Sequence, residues 1–576
     1  MDAGEILLKQ GLLDSDQLSQ LREKDVEGVA LVEAAVTLGF VKEEPALRAL
    51  ASESGLDFVD LREADVDLSL LEGFPTRLIH REMLFPLSRD NGTLFVATSN
   101  PFDLYPIDEA GAATGLAVVP VLAARREIDV LVKKHLGVGS ETIDNLIEQR
   151  SDGDEIELLG DIETDGSELS EMAQEASVIR LVNEILLEAV EVRASDVHIE
   201  SQSTGIVIRY RIDGLLHPQP VPPEISQFQA AIISRMKIMA RLNIAEKRLP
   251  QDGRIKLKVK GREVDVRVSV IPMIHGESMV LRLLDKSSMK FDLQNLGMEP
   301  ETYATFSELI KIPHGIVLVC GPTGSGKTTT LYSSLLEIKS PENKIITTED
   351  PVEYQLDGIN QIQVHARIGL TFGHTLRSIL RHDPDIVLVG EIRDLETAEN
   401  AIQASLTGHL VFSTLHTNDA AGAYPRMTDM GTEPFLVAST VEAVMAQRLI
   451  RRLCHHCRNE VKASSLDLPD DFPMAALDGR PVYEPVGCRE CRQVGYLGRM
   501  GIYELMVTTE EVRQLAHDRA STWQLKKAAL ANGMATLRDD GWKKVMAGHT
   551  SVDEVLRITK GDRMLHAERS LQTAGS

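Results

Sequence analysis

The chain runs to 576 residues, 43% hydrophobic and 26% charged, with a formal net charge of −26. That length exceeds what a single core organises and implies three or four domains of ordinary globular composition. So negative a balance, with only 4% aromatic residues, argues against a nucleic-acid motor, which needs a basic track and stacking rings; no apolar stretch approaches the length of a membrane-spanning helix.

The opening residues Met1-Asp2-Ala3-Gly4-Glu5 lack the basic segment of a signal peptide, so a cytoplasmic protein is expected. Residues 1–140 read as a helical unit followed by a small mixed α/β unit. Ile6, Leu7, Leu12, Leu13 and Leu18 have helical spacing interrupted at Gly11, and a similar phrase recurs from Gly28 to Val41, with its break at Gly39. Gly92–Thr98 reads as a strand, and the apolar run Leu116–Ala124 is broken by Pro120. Residues 141–175 read as a flexible acidic linker, because the carboxylates from Asp152 to Glu175 face no Lys or Arg before Arg180 and repel one another. Structure resumes over 176–290, where Val178–Val190 has the pattern of an amphipathic helix. Val197–Glu200, Ile206–Ile212 and Glu263–Ser269 alternate as strands of an antiparallel sheet, with a turn at Asp213-Gly214.

The apolar run Ile316–Cys320 predicts a buried strand, and Gly321-Pro322-Thr323-Gly324-Ser325-Gly326-Lys327-Thr328 follows it in the pattern G-x-x-x-x-G-K-[ST]. Thr329 onward continues as a helix. Strand, glycine loop and helix in that order make a phosphate cradle: backbone N–H groups and the helix N-terminus face the anion. Lys327 reaches the β- and γ-phosphates of ATP and the Thr328 hydroxyl suits Mg²⁺. Ile345–Thr348 predicts a second core strand ending in Glu349-Asp350-Pro351-Val352-Glu353, where a catalytic carboxylate is needed. Ile386–Val389 ends in Gly390-Glu391, with glycine where most such ATPases place their Mg²⁺-binding aspartate. Gly408–Thr414 leads to His416, a candidate γ-phosphate sensor, although a lone histidine is as readily a satisfied loop group. Cys454, Cys457, Cys488 and Cys491 form two C-x₂-C pairs; a closed Zn²⁺ shell is the preferred reading over a redox dithiol, and Cys320 reads as a small apolar core residue.

These segments together resemble the secretion ATPase superfamily. Ile346–Tyr354 is similar to its Asp box, Val389–Asp394 to its atypical Walker B segment and Gly408–Asn418 to its His box. That superfamily includes the type II secretion ATPases (GspE), the type IV pilus assembly ATPases (PilB), the pilus retraction ATPases (PilT) and the VirB11 group. The four cysteines resemble the metal motif of assembly-type members, which retraction ATPases lack. The resemblance is dense from Ala176 to Lys560 and only moderate over residues 1–140.

The resemblance implies an α/β protein: a RecA-like P-loop ATPase core, a preceding α+β (PAS-like) domain, a zinc-binding subdomain and a helical or mixed N-terminal domain. The boundaries it suggests are 1–140 for a docking or regulatory domain, 141–175 for the linker, 176–290 for the α+β domain, 291–565 for the ATPase domain and 566–576 for a tail. Within the ATPase domain, 452–500 is the zinc subdomain and 505–560 holds C-terminal helices. It also implies roles. Glu353 polarises the attacking water, Glu391 organises Mg²⁺ and water, and two arginine pairs, Arg267 with Arg282 and Arg377 with Arg381, offset the charge of phosphoryl transfer. Arg377 and Arg381 are expected one helical turn apart on one face. Arg209, Arg211, Arg248 and Arg254 are left as subunit-interface or inter-domain contacts.

The expected protein is a homo-hexamer on the cytoplasmic side of the inner membrane, reaching the membrane only through partners: a platform protein and a membrane-anchored docking protein. Some relatives bind cyclic di-GMP through repeats built on R-L-G-x-x-L. Here the first repeat, Asp2-Ala3-Gly4-Glu5-Ile6-Leu7, lacks the Arg-Leu pair and the second begins Glu27-Gly28-Val29, so docking is preferred to cyclic di-GMP binding. The rival readings are a DNA-transfer ATPase and a non-catalytic nucleotide sensor.

Overall fold

The structure is a computed structural model that describes residues 3–22, 28–61, 64, 66–75, 78–79, 82–90, 92–100, 102–136, 156–158, 176–285 and 291–559. Most of the acidic run 141–175, residues Asp2 and Glu27 of the repeats, and the tail 566–576 lie outside them. No helix among the described residues is long and apolar enough to cross a membrane. The chain divides into two compact units, Met1–Ser287 and Ser288–Ser576.

The first unit opens with α1 (Ala3–Lys9), α2 (Ser15–Arg22), α3 (Gly28–Thr37) and α4 (Glu43–Ser54). The repeated phrase is thus two helix pairs, each turned at a glycine with positive φ, Gly11 at 70° and Gly39 at 75°. Ile6, Leu7, Leu18, Leu21, Leu47 and Leu50 form their common core. A three-stranded sheet follows, made of β1 (Phe85–Asp90), β2 (Thr93–Thr98) and β3 (Ala117–Leu122). Pro120 is tolerated because β3 is an edge strand of this sheet.

The sequence expectation of an unstructured tether is corrected at one point: Ile156–Leu158 forms β4, which pairs antiparallel with residues 257–259. A short segment with alternating apolar residues satisfies backbone groups that a sheet edge leaves open. Beyond it lie the helix Ala176–Glu191, β5 (Asp196–Gln202), β6 (Gly205–Ile212), β7 (Leu215–Pro218), the helix Gln229–Met239, β8 (Gln251–Val259), β9 (Arg262–Met273) and β10 (Gly276–Asp285). They make a seven-stranded sheet in the order β4-β8-β9-β10-β5-β6-β7. Period-two alternation gives this sheet one apolar face: Ile255, Leu257, Val264, Val266, Val268 and Val270 join Leu181, Ile185, Ile232 and Met236 of the two helices in a single core. The opposite face carries the charged residues.

The second unit is built on β11 (Gly315–Cys320), β12 (Ile345–Glu349), β13 (Asn360–Gln363), β14 (Ile386–Val389), β15 (Leu410–Leu415), β16 (Val441–Leu453) and β19 (Tyr496–Val507). The sheet order is β13-β12-β14-β15-β11-β16-β19, parallel except for the β16–β19 pair. Setting β15 between β11 and β14 gives the expected RecA-like order. Ile316 to Cys320 are all fully buried, as a strand covered on both faces must be, which is why its sequence is continuously apolar. The long β16–β19 hairpin carries a small outlying module containing β17 (Asn459–Val461) and β18 (Val482–Glu484), and the helices Glu510–His517, Thr522–Ala531, Leu537–Met546 and Val552–Ile558 close the unit.

Candidate functional site

The parallel strands β11, β12, β14 and β15 all end at one edge of the sheet, so the glycine loop, the Glu349–Glu353 segment, Gly390-Glu391 and His416 follow the same edge. That edge is where open α/β sheets bind ligands. The glycine loop leaves β11 and enters the helix Lys327–Ile338. β16 lies directly against it. A Cβ on Gly321 (φ 150°) would stand 2.6 Å from the Gln447 carbonyl oxygen, and one on Gly326 (φ 90°) 2.8 Å from Gln447 Nε2. Only glycine fits either position, in conformation and in space. Gln447 Oε1 also accepts a 2.8 Å hydrogen bond from Thr330 Oγ1.

Pro322, Thr323, Gly324 and Thr328 are exposed, Thr329 is half-buried, and Ser325 is buried with no hydrogen-bond partner for its hydroxyl among the described residues. Lys327 Nζ folds back to donate to the carbonyl oxygens of Gly321 at 2.7 Å and Pro322 at 3.0 Å. Burial lowers its pKa, and Glu391 nearby opposes that shift. Burial also pushes the Cys320 thiol up to about 12, consistent with an inert core residue. This open cradle, with an exposed threonine hydroxyl and a lysine at its mouth, fits a polyphosphate and its Mg²⁺.

Across the edge, Glu391 is half-buried and lies 2.5 Å from Arg393 and 3.4 Å from His416 Nε2, so two residues distant in sequence meet. Gly390 has a physical reason to be glycine. A Cβ there would meet the Thr348 carbonyl oxygen at 3.2 Å and the Phe372 ring at 3.3 Å. Glu353 is half-buried on the loop after β12. Arg377, in the helix Phe372–Ile379, pairs with Glu396 at 2.6 Å. Arg381 differs from expectation: the helix ends at Ile379, and Arg381 folds back to donate to the Arg377 carbonyl oxygen at 3.0 Å. It caps the helix C-terminus rather than extending a face.

In the first unit, Arg267 stands opposite Arg282 across β9 and β10, and opposite Arg254 across β9 and β8. Sequence reading missed the acid that organises this row. Asp196 on β5 is opposite Arg282, is buried, and accepts from Arg282 Nε at 3.0 Å and from Ser195 Oγ at 2.8 Å, with Arg211 Nε at 3.6 Å. Fixing Nε leaves the half-exposed end of the Arg282 guanidinium available to an anion. The other open arginines have local partners: Arg209 binds Glu200, and Arg248 binds Glu246 at 2.9 Å.

The four cysteines converge. Their sulfurs all lie within 4.8 Å of one another, with Cys454–Cys488 at 3.8 Å and both Cys457–Cys491 and Cys488–Cys491 at 3.7 Å. Thiolates about 2.3 Å from a tetrahedral Zn²⁺ are about 3.8 Å apart, so the donor set fits that ion. Backbone N–H groups of Gly487, Cys488 and Gly495 point at the sulfurs at 3.1–3.3 Å, as thiolate charge requires. One strand, β16, joins this site to the glycine loop, since it carries Gln447 and ends beside Cys454.

Residues 171–557 match the family described as type II/IV secretion system protein, and residues 54–142 match the MshEN domain. The type II secretion system protein E of Xanthomonas campestris pv. campestris is 44% identical over 563 residues, covering 96% of this chain and 98% of that protein. The type IV pilus assembly ATPase PilB of Myxococcus xanthus is 40% identical over 566 residues, covering 97% of this chain and 99% of that protein. Among solved structures, the pilus retraction motor PilT with bound ADP is 27% identical, with a TM-score of 0.45, covering 67% of this chain and 98% of that one.

Proposed function

This chain belongs to the type II/IV secretion system protein family, and from that premise we propose that it is an ATP-hydrolysing motor of a type II secretion or type IV pilus assembly machine, powering (pseudo)pilus assembly. The observation that carries the reading is the meeting of the glycine loop, the Glu353 loop, Glu391 and His416 at one sheet edge. Near-complete alignment with secretion and pilus-assembly proteins favours this over the DNA-transfer alternative.

The residues divide the work as follows. The glycine loop cradles the phosphates, and Lys327 exchanges its two carbonyl acceptors for β- and γ-phosphate oxygens. Thr328 supplies a hydroxyl ligand for Mg²⁺, whose chemistry when bound is charge neutralisation on the phosphates. Glu353 takes a proton from water as the water oxygen bonds to the γ-phosphorus. The bond to the β–γ bridging oxygen breaks, and ADP and phosphate leave. Glu391 orients water, held in place by His416 and Arg393. The family resemblance gives Arg267, Arg282, Arg377 and Arg381 the role of offsetting the charge that develops on the phosphoryl oxygens.

Cys454, Cys457, Cys488 and Cys491 hold a structural Zn²⁺. The working form is a homo-hexamer on the cytoplasmic face of the inner membrane, engaging a platform protein and a membrane-anchored docking protein. The N-terminal region serves as the docking or regulatory module, a reading supported by its MshEN match; the missing Arg-Leu pair favours docking over cyclic di-GMP binding. The test is phosphate release by the purified oligomer with Mg²⁺-ATP. Lys327→Ala is expected to abolish turnover while the fold persists; turnover equal to the parent overturns the reading.

A further inference from the structure

Glu349, the last residue of β12, is buried and takes no part in the scheme above. Its carboxylate accepts three hydrogen bonds: from the Tyr332 hydroxyl, from Thr347 Oγ1 at 2.5 Å and from Gln361 Nε2 at 3.1 Å. Tyr332 is fully buried in the helix that begins at Lys327. Its hydroxyl has a single proton, and Glu349 takes it. The oxygen lone pairs therefore turn toward the backbone N–H groups of Glu353 and Tyr354, which donate to it. Gln361, on β13, closes the arrangement from the other side. Its Nε2 also donates to the Tyr354 carbonyl oxygen at 3.0 Å, and its Oε1 accepts from the Leu356 N–H at 2.7 Å. Phe291 packs edge-on against both Tyr332 and Tyr354, with ring centroids 5.4 and 5.5 Å away.

We propose that Tyr332, Glu349 and Gln361 form a buried brace that positions Glu353 against the glycine-loop helix for attack on the γ-phosphate. The inference rests on Glu353 being the catalytic carboxylate. All three are positioning residues: none reaches the nucleotide, and each acts through the backbone on either side of Glu353. The polarity of the brace matters as much as its shape. Glutamine at 349 would keep the volume, but with its oxygen facing Thr347 and Gln361 its NH₂ would face Tyr332. The tyrosine proton would then turn toward the amides of Glu353 and Tyr354 and repel them.

The test is steady-state ATPase kinetics on the full-length oligomer. Tyr332→Phe keeps the ring on Phe291 and removes only the hydroxyl, and is expected to lower kcat about ten- to hundredfold with KM for ATP within about twofold. Gln361→Leu, which cuts the brace from the opposite side, is expected to show the same split, with some loss of melting temperature but the fold retained by circular dichroism. In a Glu353→Gln background, Tyr332→Phe is expected to cost nothing further, because its target is already gone. Parental kcat in Tyr332→Phe and Gln361→Leu, or losses that multiply with Glu353→Gln, would overturn the brace. Full turnover in Glu353→Gln alone is a different failure, since it removes the carboxylate assignment on which the brace depends.

Discussion

Glu554 offers the sharpest test of how the hairpin that carries the four cysteines is held within the second unit. It is fully buried in the last helix, Val552–Ile558, yet carries a carboxylate that meets two arginines. Arg451, three residues before Cys454 on β16, donates from its backbone N–H at 3.0 Å and from Nη2 at 2.8 Å, and Arg557 donates from Nη2 at 2.6 Å. Burial by itself raises the carboxyl pKa, but the hydrogen bonds from Arg557 and Arg451 outweigh it and hold the group down at about 2. The depression from 4.5 to about 2 corresponds to about 3.4 kcal/mol. Arg557 is partly open to solvent, which screens part of this, so Glu554→Gln is expected to lose about 2–3 kcal/mol at pH 7. Because the folded pKa is depressed, the stabilisation is complete above pH 4.5 and disappears as pH falls toward 2, so parent and variant should converge on acidification. Denaturant unfolding measures the loss, and amide exchange at Arg451 reports whether β16 has come free. A loss below about 1 kcal/mol, or a gap independent of pH, would refute the reasoning.

Three further outcomes are expected. Gly326→Ala places a methyl group 2.8 Å from Gln447 Nε2 at a backbone φ of 90°, so binding of a fluorescent ATP analogue should be lost while circular dichroism is retained; unchanged affinity would contradict the cradle geometry. Burial pushes Asp540 up to about 6, above its unfolded value of 3.8, so its charge is a cost that grows as pH rises through that window. Asp540→Asn should therefore stabilise the protein at pH 7–8, by up to roughly 3 kcal/mol, provided the asparagine oxygen keeps the 2.9 Å bond from the Tyr503 N–H, and a destabilised variant at pH 8 would count against this. Cys457→Ser or a strong chelator should release one Zn²⁺ per chain, read by a colorimetric indicator, and loosen the β17–β18 module first; a protein purified without stoichiometric metal would refute the assignment.

Contiguous signals were legible from residue order. Gly321–Thr328 spans eight positions, the alternation of β8 and β9 is local, the helix–glycine–helix phrase repeats within about forty residues, and each cysteine pair is a four-residue unit. Such patterns express backbone dihedrals and side-chain period, which depend on near neighbours. They were enough for the fold class and the family, and they picked out the four cysteines whose sulfurs the fold brings together. The linker was misjudged at Ile156–Leu158 because charge density signals solvation, whereas an open sheet edge rewards even three pairing residues. The helix bearing Arg377 stops at Ile379, so the spacing that predicts a continued helical face ends two residues before Arg381.

What only the tertiary structure decided is which distant groups face one another. Asp196 meets Arg282 because β5 lies beside β10 in the sheet, 86 residues away along the chain. Gln447 lies under the glycine loop because β16 runs alongside β11, and Glu391 meets His416 because β14 and β15 are neighbours. Tyr332, Glu349 and Gln361 come from a helix and two strands, and no spacing rule links them. Strand order is set by how crossovers stack helices on the two faces of the sheet, a property of the whole assembled core, so the chemistry that depends on it is absent from any short stretch of residues.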